Sequence, residues 1–365
     1  MSRHITVIVM TSSQCNLSCG YCYARASQPL ETRMSVSKIG QLIRNCSLGF
    51  DSVKFIWHGG EPLFMGMDFY KTVVKAQQEV KQVRGVGFVN TMQTNGLLVT
   101  SEWLNFCRDY GFSFALSFDA PPDVHDIQRP DKRNEVTVDD YLRIFEKIRG
   151  ASFPLGLLCV VTSLNVDRGK EIFEFFKSVG ATSYSLLPLI SVPSVNSSNV
   201  PSNDQLARLY KTTFDLWLDS PNEFKSIEPV DTMMRSLMGQ EPYLCSFNAS
   251  CLVKMITITP TGEVVPCGSF DPARFTLGNV FEDPLTDILL GERTMELRRM
   301  RDRHIEECCG ECDFVSICRG GCRDTALWSS GKYEGDYPYC QARKDAFEYI
   351  QRRLRVILSD QFVVK

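Results

Sequence analysis

The stretch that decides the interpretation of the chain is Cys15-Asn16-Leu17-Ser18-Cys19-Gly20-Tyr21-Cys22. Its cysteines are separated by three and two residues, and an aromatic residue, Tyr21, lies between the last two. The apolar run 5–10 comes before them and predicts a buried strand. A strand that ends in a loop of three thiolates can bind three irons of a cubane cluster and leave the fourth open to a ligand. Structural clusters usually take four cysteines.

Two simpler interpretations compete with an open cluster at this loop. One is a zinc site that is completed by a distant fourth ligand, and the other is three reduced cysteines packed in the core. Zinc knuckles usually contain two close Cys-x2-Cys pairs, and this stretch contains only one. The spacing therefore favours a cluster that performs chemistry on its ligand.

The composition is that of an ordinary globular protein, with 365 residues, 44% hydrophobic and 23% charged. The net charge of −3 gives no general attraction to nucleic acid or to an anionic membrane, so we expect neither as a partner. No signal-peptide pattern opens the sequence and no apolar run reaches about 18 residues, which predicts a cytoplasmic protein. In a reducing compartment, the 15 cysteines indicate metal binding rather than disulfides.

Strand-like and helix-like segments alternate along the first half of the chain. Six such repeats predict a parallel sheet, because each crossover must be right-handed and covered by a helix. With a cluster beside the first strand, a partial (β/α)6 barrel is favoured over a doubly wound sheet. We expect the barrel over 1–235, a small cysteine-rich domain over 236–350 and a C-terminal tail over 351–365. The predicted strands are 5–10, 53–58, 87–93, 112–118, 155–162 and 184–189.

Candidate site residues stand where the predicted strands end, which is where barrels of this kind carry their sites. His58-Gly59-Gly60-Glu61-Pro62 ends the second strand. Its glycines let the backbone approach a ligand and its carboxylate can attract an ammonium group, although alone it is an ordinary Gly-Gly turn. Gln93 ends the third strand and Ser117 the fourth, where turn chemistry is an equally good explanation.

A second group of cysteines occupies the last third of the chain. Cys245 and Cys251 precede a hairpin predicted over 254–266, and Cys267 ends it. A zinc ribbon or a pair of zinc knuckles is the alternative reading of such an array. The cluster loop elsewhere in the chain favours iron. The remaining cysteines of this group are Cys308, Cys309, Cys312, Cys318, Cys322 and Cys340.

These motifs resemble those of a known enzyme family. The Cys-x3-Cys-x2-Cys loop after a first strand resembles the cluster motif of the radical S-adenosylmethionine (SAM) enzymes, and 58–62 resembles their GGEP element. The order Cys-x2-Cys-x5-Cys-x3-Cys, with a later cysteine and a preceding Cys-hairpin-Cys, resembles the SPASM domain that many of these enzymes carry. The resemblance covers nearly the entire chain and implies a partial radical SAM barrel followed by a SPASM domain.

The resemblance also implies the cofactors, which are three 4Fe–4S clusters and SAM. It places the cluster that SAM chelates on Cys15, Cys19 and Cys22. The two auxiliary clusters would each take four cysteines, with Cys308 a spare that sequence alone does not separate from Cys309. The first auxiliary set is Cys245, Cys251, Cys267 and Cys322, and the second is Cys309, Cys312, Cys318 and Cys340.

Several single residues receive roles from the same resemblance. Gly60 and Glu61 would hold the amino group of SAM, Ser117 would touch its ribose, and Arg129 would neutralise its carboxylate, a task that suits a bidentate guanidinium. Gln93 is expected to face the pocket centre and contact substrate. The remaining assignments are Tyr21 and Ile190 as further SAM contacts, Ile190 against the adenine, and His58 as a second substrate contact.

The implied reaction begins with reductive cleavage of SAM to a 5′-deoxyadenosyl radical, which abstracts a hydrogen atom from the substrate. Fully ligated auxiliary clusters would then accept the electron left on the substrate, so the net reaction is an oxidation. A flavodoxin- or ferredoxin-type protein is the expected electron donor.

The substrate class is inferred from how the chain matches and departs from one group of these enzymes. The overall pattern resembles the anaerobic sulfatase-maturing enzymes, which use an Asp after the third cysteine of the first auxiliary cluster as a base. That position is Gly268 here, and the nearest carboxylate is Asp271, which becomes the candidate catalytic base. We therefore expect a maturase of ribosomally made peptides that forms a thioether or carbon–carbon crosslink, or rearranges a residue.

Three alternatives remain open at this point. They are formylglycine formation in sulfatases, a radical SAM dehydrogenase of a small molecule, and a zinc-binding interaction module without catalysis. Only fourteen residues precede Cys15, so no N-terminal leader-binding module is expected. The precursor peptide would be gripped by the barrel and the tail, or by a separate leader-binding protein.

Overall fold

The fold, seen in a computed structural model, is built on parallel strands connected by helices. The structure describes residues 3–23, 32–133, 135–191 and 197–363. By its internal contacts the chain divides into two compact units, neither of them continuous in sequence. Unit 1 contains 1–117, 129–155 and 250–299, and unit 2 contains 118–128, 156–249 and 300–365.

Unit 1 holds a mixed sheet whose strands follow the order β10-β9-β8-β1-β2-β3-β4. The pairs from β1 to β4 and the pair β1/β8 are parallel, while β8/β9 and β9/β10 are antiparallel. Residues on one face of the second strand, such as Phe55 and Trp57, are fully buried, as the period of two requires. These strands are β1 His4–Ser12, β2 Ser52–Gly59, β3 Gly87–Thr94, β4 Phe112–Ser117, β8 Met255–Ile258, β9 Glu263–Val265 and β10 Gly278–Asn279.

Unit 2 holds three further parallel strands in the order β5-β6-β7. They are β5 Gly156–Val161, β6 Ser183–Pro188 and β7 Ser226–Glu228. Leu157, Cys159 and Val161 are buried and alternate with half-exposed neighbours along β5. The long helix Cys340–Val363 packs against the helix Asn203–Asp219 in the same unit.

The helices begin and end where local signals predict. Val138–Gly150 starts with a capping box between Thr137 and Asp140, and Ser101–Tyr110 starts with the Thr100 side chain accepting from Trp103 N. The other α-helices are Ile39–Ser47, Met67–Arg84, Pro122–Gln128, Gly169–Ser178, Asn203–Asp219, Val230–Leu237, Cys245–Asn248, Pro272–Phe275, Leu285–Leu290, Glu292–Cys309, Val315–Cys318, Arg323–Ser330 and Cys340–Val363. The 3-10 turns are Val36–Lys38, Pro62–Met65 and Ser197–Asn199.

The expected alternation of strands and helices is confirmed, and all six predicted strands are present as β1 to β6. The predicted hairpin is also present, but its first strand pairs with β1, so that Thr6 lies beside Met255. This long-range pairing places β8, which lies within the predicted cysteine-rich domain 236–350, in the sheet of unit 1. The proposed boundaries at 235 and 350 stay a prediction, and one helix, Cys340–Val363, runs through the second of them.

Among the described helices, none combines the length and the apolar character that crossing a bilayer requires.

Candidate functional site

The cysteine loop follows the end of β1 and is held by backbone contacts at both sides. Ser18 N donates to Pro130 O at 2.7 Å, and Leu17 forms a short bridge with Asp131. Within the loop, Cys22 N donates to Cys19 O at 3.3 Å, and all three cysteines are half-buried. One loop therefore presents three thiols with a fixed backbone, which suits a three-cysteine iron–sulfur cluster.

Asn95 follows β3, at a strand end for which the sequence left a structural turn and a functional site equally open, and it is part of this site. Its side-chain amide donates to Asn16 Oδ1 at 2.8 Å and approaches Cys15 Sγ at 3.7 Å. A second donor, Leu17 N, lies 3.4 Å from the same sulfur. Donors of this kind favour the thiolate, and the thiolate is the form that binds metal. The only available signal was a polar residue two positions after the predicted third strand.

The thiol of Cys15 is protonated in the absence of a cation, because burial raises its pKa to about 11. The nearby charges of Glu61 and Cys22 act in the same direction. A bound metal cluster removes this penalty by replacing the proton, so the donor set fits an iron–sulfur cluster. When bound with SAM, such a cluster supplies a radical that can remove a hydrogen atom from substrate.

Gly60 brings the end of β2 against residues 12–14, which lead into the cysteine loop. Gly60 N donates to Ser12 O at 2.6 Å and Glu61 N donates to Gln14 O at 2.7 Å. A Cβ at Gly60 would overlap the backbone carbonyl of Gln14 and lie 2.8 Å from the carbonyl carbon of Ser13. This close approach explains why glycine is needed there, and it fixes residues 12–14 just before the first cysteine.

The Glu61 carboxylate is fully buried and accepts three hydrogen bonds. The donors are Thr94 Oγ1 at 2.7 Å, Asn95 N at 2.9 Å and Leu63 N at 3.1 Å. These bonds tie the end of β2 to the end of β3. The side chain therefore stabilises the loops around the cysteines, and its expected contact with SAM stays a prediction.

The buried Glu61 carboxyl group is expected to make the free energy of unfolding depend on pH. Burial raises its pKa from 4.5 to about 7, so folding takes up a proton between these values and stability falls as pH rises. Relative to Glu61→Gln, we expect the wild type to lose about 2 kcal/mol of unfolding free energy between pH 5.5 and 8. Urea denaturation across this range measures the difference. Glu79→Gln, at an exposed position, is the control, and parallel profiles for wild type and Glu61→Gln would contradict the assignment.

The remaining expected SAM contacts lie in both units. In unit 1, the Arg129 guanidinium lies over the Tyr21 ring at 5.4 Å from its centroid, and Gln93 Nε2 donates to Ser117 Oγ at 3.1 Å. In unit 2, Ile190 follows β6 and is half-buried. The roles of these five residues toward SAM and substrate stay predictions.

Gly268, the position where the resemblance implies an acid, lies beside an aromatic side chain. A Cβ added there would lie 3.3 Å from Tyr23 Oη and 3.4 Å from Met10 Sδ. The ring of Tyr23 is 6.4 Å from that of His58, centroid to centroid, and loss of water around His58 lowers its pKa. Gly268 and the neutral His58 thus each lie beside Tyr23, in the unit that contains the cysteine loop.

Asp271, the candidate base, caps a short helix. It is exposed, and its Oδ1 accepts from Ala273 N at 3.0 Å at the start of Pro272–Phe275. An N-cap bond uses one carboxylate oxygen and leaves the other exposed to solvent. Its catalytic role stays a prediction.

After Ser117, the chain continues through Phe118 and Asp119 into a buried structural network in unit 2. Asp119 Oδ1 accepts from Val160 N at 2.8 Å, and Asp119 N donates to His125 Nδ1 at 3.1 Å. His125 is buried and stacks on Phe118 with ring centroids 4.0 Å apart. Asp119 and His125 therefore stabilise the fold.

In unit 2, tail cysteines converge on one cavity of about 340 Å³. The aromatic side chains of Phe314, Tyr337 and Phe347 form part of its wall, beside Arg343. These residues come from the ends of three helices, Glu292–Cys309, Val315–Cys318 and Cys340–Val363, and from the loops between them. The cysteines that line the cavity are Cys308, Cys309, Cys312, Cys318 and Cys340.

The electrostatics of this cavity fit a polynuclear metal centre. The pKa of Cys309 and that of Cys340 are raised, first by burial and then by the neighbouring thiolates, among them Cys312 and Cys318. Four thiolates repel one another unless a cation lies between them. The four predicted ligands of the second auxiliary cluster are therefore close together, with Cys308 exposed at the edge of the cavity.

In the described residues, no three cysteine sulfurs lie as close together as a single tetrahedral zinc ion would hold them. Tetrahedral zinc with bonds of about 2.3 Å holds thiolate sulfurs about 3.8 Å apart. Within the described ranges, three ligand atoms of His, Cys, Asp or Glu lie within 4.8 Å of one another only at His304, Cys308 and Asp336. None of the Cys-x2-Cys sets forms such a group.

The predicted ligands of the first auxiliary cluster belong to both units. Cys251 and Cys267 lie in unit 1, on either side of the β8–β9 hairpin. Cys245 and Cys322 lie in unit 2, where burial and then the charges of Asp324 and Cys245 raise the pKa of Cys322 to about 11. Their assignment to one cluster stays a prediction.

Comparison with known families agrees with this chemistry. The model of the radical SAM superfamily matches residues 9–176, and that of the SPASM iron–sulfur cluster-binding domain matches residues 245–313. The first match contains the cysteine loop, and the second begins at Cys245. The chain therefore contains a radical SAM domain and a SPASM domain, and these matches indicate an enzyme that catalyses radical redox chemistry.

Similar proteins cover almost the whole chain. The cysteine-type anaerobic sulfatase-maturating enzyme of Clostridium perfringens (strain 13 / Type A) is 25% identical over 366 residues, which are 95% of this chain and 96% of that protein. Native anSMEcpe with bound AdoMet and Cp18Cys peptide matches with a TM-score of 0.87, at 22% identity over 97% of this chain and 99% of that one. Streptococcus suis SuiB bound to precursor peptide SuiA gives 0.69, at 18% identity over 92% and 75%. These two structures share the fold.

Proposed function

We propose that this enzyme oxidatively modifies a ribosomally made peptide, by forming a thioether or carbon–carbon crosslink or by rearranging a residue. Two solved chains of the same fold were captured with peptides, Cp18Cys in one and the precursor SuiA in the other. Both support a peptide as the substrate class. The observation that carries the proposal is Gly268, because a glycine stands beside Tyr23 at the position where the resemblance implies the carboxylate for formylglycine formation.

The roles of the chain's own residues follow from the site. Cys15, Cys19 and Cys22 hold the reactive cluster on one anchored loop, and Arg129 stands beside Tyr21 to receive the carboxylate of SAM. Gln93 and Ser117 present an amide and a hydroxyl at the ends of β3 and β4. The tail cysteines hold two further clusters that take up the electron released by the substrate. A flavodoxin- or ferredoxin-type donor and a separate leader-binding protein complete the proposed partners.

Formylglycine formation is the second candidate function. It is supported by the sulfatase-maturating relative, which aligns with the chain over nearly its full length. The two candidates differ in one feature of the chemistry. Conversion of cysteine to formylglycine replaces the sulfur by oxygen, whereas a crosslink removes two hydrogen atoms and keeps every sulfur.

A mass-spectrometric assay separates these outcomes. The reconstituted enzyme, SAM and dithionite are incubated with a synthetic sulfatase peptide that contains cysteine, and in parallel with synthetic peptides encoded by short reading frames beside the gene. We expect no formylglycine in the first. In the second we expect loss of two hydrogen atoms with retained sulfur for a crosslink, or an unchanged mass with altered fragmentation for a rearranged residue. Formylglycine at rates that match SAM cleavage would contradict the proposal and establish the second candidate.

The Asp271→Asn variant tests the proposed base in the same assay. Asparagine also caps a helix, so the bond from Ala273 N is kept while the basic group is lost. If Asp271 takes up the substrate proton, turnover falls about 100-fold or more while SAM binding is kept. Unchanged turnover would remove Asp271 from the mechanism.

A further inference from the structure

Arg343 is a buried cation in the wall of the cavity that the tail cysteines line. It lies on the helix Cys340–Val363, three residues after Cys340, and only 5% of its surface is exposed. Taking a guanidinium out of water is unfavourable unless an anion or a full set of acceptors compensates. The groups that contact Arg343 therefore indicate the role of this buried positive charge.

The side chain is fixed on all sides. Its guanidinium lies between two rings, 3.8 Å from the centroid of Phe247 and 4.3 Å from that of Tyr337. Nη1 donates to Ser246 O at 2.7 Å, and Nη2 donates to Ser246 Oγ at 3.1 Å. Nη1 also donates to Cys318 Sγ at 3.5 Å. The stacking and the hydrogen bonds leave the group one position, against the sulfur of a predicted cluster ligand.

No carboxylate balances this charge within the described part of the chain. Arg301 shows the usual arrangement in the same unit, since it is also buried and pairs with Asp302 at 2.8 Å. Arg343 instead contacts a carbonyl, the hydroxyl groups of Ser246 and Tyr337, two rings and a thiol sulfur. Among the groups that line the cavity, the cysteines, Tyr337 and Asp336 can carry negative charge, and Cys318 is the cysteine that accepts a hydrogen bond from Arg343.

We propose that Arg343 is the counter-charge of the cluster bound by Cys309, Cys312, Cys318 and Cys340, and that it raises the reduction potential of this cluster. The inference rests on the proposed function, which supplies that cluster. Four thiolates give the centre a net negative charge, and reduction adds one more electron. A fixed cation that donates to a ligand sulfur stabilises the reduced form, since net charge and hydrogen bonds to sulfur set the potential.

The geometry directs the effect to one of the two tail clusters. Arg343 donates to the sulfur of Cys318, whereas toward the first auxiliary set it reaches Ser246, the neighbour of Cys245, through oxygen atoms. We therefore infer that Arg343 makes the second auxiliary cluster the better electron acceptor. Cys309, Cys312, Cys318 and Cys340 would hold this cluster, and with Arg343 beside Cys318 it would be the favoured acceptor of the one electron that the substrate gives up.

The test measures potentials rather than turnover. In the Cys15→Ala, Cys19→Ala, Cys22→Ala variant, only the tail clusters contribute to the electron paramagnetic resonance spectrum. A redox titration followed by this spectrum measures the reduction potential of each tail cluster. We expect Arg343→Met to lower the reduction potential of the second auxiliary cluster. The equilibrium constant for its one-electron reduction should fall at least tenfold, which corresponds to about 59 mV. Arg343→Lys keeps the charge and should recover most of the shift. Arg301→Met, the matched buried arginine, should leave both potentials unchanged.

The possible outcomes are separable. Unchanged potentials in an Arg343→Met protein that keeps the iron of both tail clusters would overturn the inference. If the neutral variants Arg343→Met and Arg343→Gln lose the second cluster and Arg343→Lys keeps it, the charge requirement is supported. Loss of that cluster in Arg343→Lys as well would reduce Arg343 to a packing role. A parent protein with only one tail cluster would instead contradict the proposed function.

Discussion

Replacing Cys15, Cys19 and Cys22 together with alanine is expected to abolish formation of 5′-deoxyadenosine and to leave about two thirds of the iron. The three thiols lie on one loop in unit 1, whereas the cysteines of the second auxiliary set line a separate cavity in unit 2. Three cubanes contain about twelve irons, so the variant should retain about eight. Iron analysis and chromatography of the SAM cleavage products measure both quantities in anaerobic protein.

The control for this variant is Cys46→Ala. Cys46 lies on the buried face of the helix Ile39–Ser47 and is fully buried. Its replacement removes a thiol that is not a predicted cluster ligand. We expect that control to keep all of the iron and normal SAM cleavage. If the triple variant still cleaved SAM reductively, the reactive cluster would have to lie elsewhere in the chain.

The second large effect is expected from Gly60→Ala. The backbone at Gly60 has no positive φ, so alanine is excluded only by the contact with the carbonyl of Gln14. Residues 12–14 have to move to admit the methyl group, and they lead directly into Cys15. A shift of about 1 Å at a reacting centre can cost about 100-fold in rate, so we expect at least that loss of SAM cleavage.

Gly20→Ala provides the matched control within the cysteine loop itself. A Cβ at Gly20 meets no atom within 4 Å, so the substitution adds the same methyl group without a clash. We expect SAM cleavage within about twofold of wild type, as for most surface substitutions. Equal losses in Gly60→Ala and Gly20→Ala would show that the close contact with Gln14 is not what positions the cysteines.

The strands and helices of the barrel half were predictable because each carries its own periodic pattern. Val53, Phe55 and Trp57 alternate with less buried residues in β2, and Ile39, Leu42 and Ile43 recur at helical spacing in Ile39–Ser47. The pairing of β8 with β1 was not predictable. It joins Thr6 to Met255, and a local pattern shows which face of a strand is buried but not which partner it takes.

The site was predictable where the residues form contiguous motifs. The cysteine loop and 58–62 could be found in the sequence, and the structure joins them through bonds to Ser12 and Gln14. The contacts of the Glu61 carboxylate with Thr94 and Asn95 could not be found, because a motif gives the residue type and not the direction of its side chain. Arg343 carried no signal, since in sequence a buried arginine looks like its exposed neighbours.

The structure also weighs the alternatives that the sequence left open. A zinc-binding module without catalysis is excluded by the radical SAM match over residues 9–176. The choice between a peptide crosslink and formylglycine depends on one position, Gly268, and on whether Asp271 can act in its place. Both questions are addressed by product masses, which do not depend on the cluster count.

The central claim is that Cys15, Cys19 and Cys22 leave one iron open for SAM. Pulsed electron paramagnetic resonance of the reduced enzyme, with SAM labelled at its amino nitrogen, tests this claim most directly. We predict a magnetic coupling between the label and the cluster, present in the wild type and absent from the variant without these three cysteines. A wild-type spectrum that does not change when labelled SAM is added, with the fourth iron bound by a protein side chain, would contradict the account.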